Sequence, residues 1–204
     1  MEGIIFLWVA WGLWIYTTFI MEKNEKGRFL FSFYLLCLIC LFPYRFSILS
    51  YEVHADYLFL ALLALIYMRR LGLRQKLYML ICILTIAMSY AGVGLVAIYD
   101  PVLMIIDPYV IAALLSMSLG FIFYSSINKM RNLFLSVISG TLTGEIFLSV
   151  TLHNIGFSKM IGDYLYMDTA AYMALMTITW KAVHSLNALM SSKLSSNKGE
   201  IKNI

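Results

Sequence analysis

Glu145 is the residue whose chemistry and setting fit together least easily. It stands in SGTLTGEIFLS, inside an apolar stretch. In a membrane helix, an ionisable group there costs at least a few kcal/mol unless it is paired, hydrated or protonated. The helical period puts Thr141 and Ser149, four residues to either side, on the same face. Gly140 and Gly144 form an adjoining strip of small residues that lets another helix approach closely. A titrating Glu145 could relay protons, whereas a neutral or paired one ties helices together, and the tie is the plainer reading. Lys181, in TITWKAVHSLN, shares a face with Thr177, His184 and Ser185. Its ammonium can snorkel to the nearer headgroups. A Glu145–Lys181 pair would have to bridge about 10 Å of depth, the limit for two extended side chains. Glu145, Thr141, Ser149, Lys181 and His184 are therefore the candidate intramembrane polar site.

Other chemistry-bearing residues carry less. Arg45 follows Pro43, and its simplest partner is Glu52 or Asp56. His54 and His153, among Glu52, Asp56 and Asp163, would suit a divalent metal if they converged. Two histidines so far apart in sequence read more plainly as solvated loop residues, so no metal is expected. Cys37 and Cys40 form CLIC inside an apolar run, and Cys82 lies in another. Thiols in hydrocarbon act as small hydrophobes, while redox and zinc chemistry needs a polar setting and further ligands. The sequence has no HExxH, nucleophile elbow or Walker motif. Neither an enzyme nor a cofactor is expected.

The composition says what must position these residues. Of 204 residues, 62% are hydrophobic and 13% charged, with mean hydropathy +0.84. A soluble domain is about 45–50% apolar and about 25% charged, so it would lack the polar residues to cover this surface. With 3 Pro, 12 Gly and 3 Cys, disordered, collagen-like and disulfide-scaffold classes are excluded as well. The expected fold is an all-α polytopic transmembrane helix bundle, one domain over residues 1–190 with a flexible basic tail over 191–204. A crossing takes about 20 apolar residues. Seven stretches qualify: 3–21, 29–49, 56–70, 77–98, 108–126, 133–152 and 169–189. The third reaches a workable length only if Arg69 and Arg70 snorkel.

Charge tests the count. With the amino end outside and seven alternating spans, Lys23, Lys26, Arg28, Arg69, Arg70, Arg74, Lys76, Lys129, Arg131, Lys193, Lys198 and Lys202 all fall inside. That is twelve of the fifteen basic residues. The outer segments carry only Lys159, while Arg45 and Lys181 lie within spans. This is the bias that the positive-inside rule describes. The net charge of +4 therefore reflects topology and anionic lipid, and no nucleic-acid partner is expected. The first span lacks a basic flank and a cleavage site, so it reads as a retained helix. A comparison with microbial rhodopsins, prompted by a lysine in the last of seven spans, fails because the third span has no mid-depth acid.

Local signals complete the layout. Asp107-Pro108 is a strong helix start, and Asp100-Pro101 repeats it, with a loose turn or interfacial dip between them. The connection His153–Asp168, with Gly156 and Gly162, is expected to rest on the membrane surface. Trp8, Trp11 and Trp14 recur every three residues, and Trp14 is too deep for an interfacial belt, so the plainer reading is a helix-packing stripe.

A Met-Glu-Gly start running into Trp8, Trp11 and Trp14, in a chain of this length with seven spans, resembles the YphA family. These are small multi-spanning membrane proteins of spore-forming Gram-positive bacteria. The resemblance implies a bacterial cytoplasmic membrane and carries over no activity or site residues. From the residues, the first expectation is a non-catalytic accessory or scaffold in a membrane complex, bound to lipid and to a membrane-protein partner or a second copy. The alternative is a small-solute or proton-linked transporter using Glu145. Reporter fusions check the topology. Alkaline phosphatase should be active when fused after residue 160 and inactive when fused after residue 76, whereas the reverse pattern would refute the orientation.

Overall fold

A computed structural model describes residues 2–23, 25, 27–48, 51–124 and 130–201, with the backbone alone at 48, 103, 188, 189 and 191–201. Seven α-helices and one hairpin are found among these residues. They are α1 (Ile4–Ile15, extended by a π-helical turn over Tyr16–Ile20), α2 (Arg28–Leu41), β1 (Arg45–Ile48), β2 (Tyr51–His54) and α3 (Ala55–Arg69). The chain continues through α4 (Leu73–Tyr99), α5 (Pro108–Phe123), α6 (Met130–Asn154) and α7 (Tyr164–Ile201). Two helices, α4 and α6, are each long and apolar enough to cross a bilayer, while α1 with its π turn, α2 and α5 are shorter apolar helices. Lys26, Lys129 and Lys202 lie outside the described residues, as do Leu49 and Ser126 at two expected span ends. The segment from 191, expected as a tail, has helical backbone as far as Ile201.

The second expected span is corrected. It was read as continuous to Leu49, but α2 stops at Leu41, where Phe42 makes the last helical bond to the Leu38 carbonyl. Pro43 has no N–H to continue the ladder. Arg-Phe-Ser-Ile then alternates polar and apolar, the period of a strand. It pairs antiparallel with Tyr51–His54 in the register Arg45↔His54, Phe46↔Val53, Ser47↔Glu52. At 14 residues, α2 is only about 21 Å long.

The centre is α6, buried along nearly its whole length from Leu133 to Leu152. Gly140 and Gly144 receive α4, as the small-residue strip implied. A Cβ at Gly140 would come within 2.7 Å of Ile86, and one at Gly144 within 2.8 Å of the Ala87 carbonyl oxygen. Met79, Cys82, Ile86, Ala87 and Tyr90 of α4 are buried in return.

One end of the bundle is capped. The connection after α6, expected to lie on a surface, folds back onto the hairpin. The Ile161 N–H donates to the Glu52 carbonyl at 2.9 Å, and the His54 N–H donates to the Ile161 carbonyl at 3.1 Å. Gly162, at φ 71°, sits so close to Tyr57 that a Cβ would fall 2.4 Å from the tyrosine Cβ. The backbone there requires glycine on both counts.

Two further expectations are revised by packing. Two of the three tryptophans of the expected packing stripe face outward: α1 buries Phe6 and Ala10 and its π turn buries Thr17, while Trp8 is 78% and Trp11 44% exposed and Trp14 is half-buried. Asp168, the last residue of the connection expected on the membrane surface, is buried and caps α1 from α7. Its Oδ2 accepts from the Gly3 N–H and its Oδ1 from the Phe6 N–H, both at 2.8 Å. A carboxylate at a helix N-terminus satisfies free amides and complements the dipole. Asp107 does the same for α5, accepting from the Tyr109 N–H at 2.9 Å with Pro108 at the first helical position.

Asp168→Ala strands two buried amides and should cost about 2–4 kcal/mol. Thermal unfolding in mild detergent would register this as a lower midpoint, with Asp168→Asn falling between the two; an unchanged midpoint would refute the cap.

Candidate functional site

Three elements converge around Glu145 of α6, which is 0% exposed. From α4, the Tyr90 hydroxyl donates to Glu145 Oε2 at 2.8 Å. From the α6–α7 connection, Lys159 Nζ donates to Glu145 Oε1 in a direct ion pair. Asp163, four residues on, places Oδ2 3.9 Å from the same ammonium. From α5, the Tyr109 ring centroid lies 6.0 Å from Lys159 Nζ, within range of a cation–π contact. Lys159 is 13% exposed, so the pair sits where buried charge meets the capped end of the bundle.

Beneath the carboxylate lies a second polar layer. Thr141 donates to the Ile138 carbonyl at 3.1 Å, so the Tyr166 hydroxyl 3.4 Å from its Oγ1 is the donor between them. The Tyr166 ring stands edge-on to Tyr90 at 6.2 Å and to Tyr57 at 5.5 Å, and the Tyr57 hydroxyl donates to the Leu142 carbonyl at 2.7 Å. Buried tyrosines of this kind join an apolar body to a hydroxyl that needs a partner. Ser149 is fully buried on the Glu145 face, and its hydroxyl has no partner among the described residues.

Thr141 and Ser149 thus take the expected places beside Glu145. Lys181 and His184 do not. Lys181 is exposed on α7, and His184 packs half-buried against Trp180 with ring centroids 6.3 Å apart. The register explains the miss. Tyr166 is level with Thr141, so Lys181 lies fifteen residues, more than about 20 Å, farther from the capped end. The cation that reaches Glu145 is Lys159. Its signal in the sequence was its isolation as the only basic residue in the expected outer segments, in a connection containing two glycines. Tyr90 and Asp163 gave no comparable signal.

Arg45 is also reassigned. Its strand pairs it with His54, and its guanidinium donates to the Tyr164 hydroxyl at 3.4 Å and lies 5.3 Å from that ring, rather than meeting Glu52 or Asp56. His54, expected in solvent, is 1% exposed, with its ring 4.7 Å from Tyr164. Burial, and then the Arg45 guanidinium, lower the His54 pKa below the usual histidine value. Its Nδ1 is 3.9 Å from Asp56 Oδ1, too long for a hydrogen bond. His153 is exposed beside Tyr51 and does not join it. Among the described residues no three His, Cys, Asp or Glu side chains converge on a point.

A cavity of about 200 Å³ adjoins the ion pair between α4 and α5. Tyr90, Tyr109 and Lys159 line it together with Gly94, Ala112 and Leu148. The site therefore couples a compensated buried charge to a largely apolar space.

Removing either partner of the pair should destabilise unequally. Lys159→Met leaves Glu145 fully buried and should cost roughly 3–5 kcal/mol. Glu145→Gln leaves an ammonium that can still hydrate, and should cost less. The double variant should recover about 1–3 kcal/mol relative to the sum. A double-mutant cycle by thermal or denaturant unfolding in detergent checks this, and strict additivity would refute the pairing.

Comparison with known proteins agrees with this picture of a helical membrane protein. The family model for YphA-like integral membrane protein matches residues 2–203. The chain is 30% identical over 203 residues to the uncharacterized protein YphA of Bacillus subtilis (strain 168), covering 99% of each chain. No solved structure matches. Matched from end to end, the chain belongs to the YphA-like integral membrane protein family.

Proposed function

We propose that this protein is a multi-pass component of the cytoplasmic membrane. It crosses seven times, with its amino end outside and its carboxyl end in the cytoplasm, and serves as a non-catalytic accessory or scaffold in a membrane assembly. The positive-inside bias supports the orientation. The hairpin and the Lys159 connection then face outward. The observation that carries the accessory reading is that both Glu145 oxygens are taken by protein donors from two different elements. A carboxylate so used holds the bundle together. Asp168 is spent in the same way, joining α7 to α1.

A second reading, a small-solute or proton-linked transporter, is favoured by the cavity that shares Tyr90 and Lys159 with the ion pair. A tagged purification from native membrane in mild detergent, followed by mass spectrometry, separates the two. The accessory reading expects a stoichiometric membrane partner that still co-purifies with Glu145→Gln. A partner-free protein whose proteoliposome flux disappears in Glu145→Gln at unchanged protein level would instead establish transport.

A further inference from the structure

We propose that the cavity beside Glu145 binds a small organic primary amine, and that the Lys159 ammonium is the chain's own occupant of the amine position. This inference stands apart from the accessory reading.

The surroundings of Lys159 Nζ are those that recognise an alkylammonium. Glu145 Oε1 accepts from it directly, Asp163 Oδ2 is 3.9 Å away, and the Tyr109 ring lies 6.0 Å away. Carboxylates give charge-assisted hydrogen bonds, and an aromatic face adds a cation–π contact. The local charge also favours a cation. Two carboxylates, Glu145 and Asp163, face this position, while Lys159 is the one cation in contact with them among the described residues.

The space fits an amine with an apolar body. The cavity of about 200 Å³ continues from Lys159 along Tyr90, Gly94, Ala112 and Leu148. At about 30 Å³ per water-sized group, it takes a chain of roughly six such groups. The Ser149 hydroxyl, buried one turn nearer the same end of α6 without a partner, is a spare polar group on the Glu145 face.

Lys159 can also be withdrawn. It sits between Gly156 at φ 93° and Gly162 at φ 71°, and residues 153–158 are exposed. Rotation at Gly156 lets the exposed part of the connection carry Lys159 outward while Ile161 stays bonded to β2, without melting α6 or α7. The tethered ammonium competes at an effective concentration in the millimolar range, so an amine binds the wild type weakly and binds far better once Lys159 is gone.

The test titrates the full-length protein in mild detergent with n-butylammonium chloride, using n-butanol at equal ionic strength as the neutral control, and follows thermal unfolding. For Lys159→Met the amine should raise the midpoint by about 2 °C or more. Its apparent affinity should be about tenfold or more tighter than for wild type. The effect should vanish in Lys159→Met/Glu145→Gln, and butanol should give none. Equal responses to amine and alcohol, or an amine effect that survives in the double variant, would overturn the proposal. Should Lys159→Met not fold, hydrogen exchange on the wild type decides. Amides of residues 155–160 should exchange faster with millimolar butylammonium than with butanol, and identical exchange would overturn the proposal.

Discussion

A carboxylate placed among packed helices must find its partners within the protein, and much of the capped end follows from how Glu145 finds them. Tyr90 supplies a hydroxyl from α4, and Lys159 supplies the charge from a connection that would otherwise lie outside the bundle. To deliver that ammonium, the chain after α6 must turn inward, which brings Ile161 against the backbone of β2 and Gly162 against Tyr57. The hairpin is in turn held at its base by His54 and Arg45 against Tyr164. The ion pair contributes little net stability once desolvation is counted. Its effect is to specify one position for a connection that has few other reasons to choose.

Below that end the bundle relies on close packing. Where α6 crosses α4, two glycines remove the side chains that would hold the backbones apart, and Ile86, Ala87 and Tyr90 fill the gap. Helix association in an apolar solvent draws on such contact and on interhelical hydrogen bonds, because lipid is as apolar as leucine. Large residues such as Trp8, Phe19 and Phe29 are left pointing outward, an arrangement that hydrocarbon tolerates and water would not.

How much of this was legible in the sequence depended on the range of the interaction. Local signals read well: Asp107-Pro108 started a helix, and Gly140 and Gly144 marked a close approach. The family was visible in the first span. The second span was read through Pro43 to Leu49 when its helix ends at Leu41, because the four alternating residues from Arg45 to Ile48 are too few to outweigh the apolar run before them. The partner of Glu145 was out of reach for a different reason. Depth was reckoned along each helix separately, and the relative register of α6 and α7 is fixed by Tyr166 and Thr141, a contact that no spacing encodes. The capping role of Asp168 was out of reach likewise, since nothing local links it to residues 162 and 165 positions earlier.

That cap on α1 has a consequence for the order of biosynthesis. α1 exposes amides whose acceptor is encoded 165 residues later. At about 5–20 residues per second, α1 waits roughly 8–33 s before Asp168 is synthesised. During that interval its amino end is held within the chain by the stack of Phe6 on Phe42 after α2, with ring centroids 5.5 Å apart. Closure of the bundle is thus a late event, sealed when the start of α7 meets the start of α1, and a ribosome that stops short of residue 168 leaves α1 without its cap.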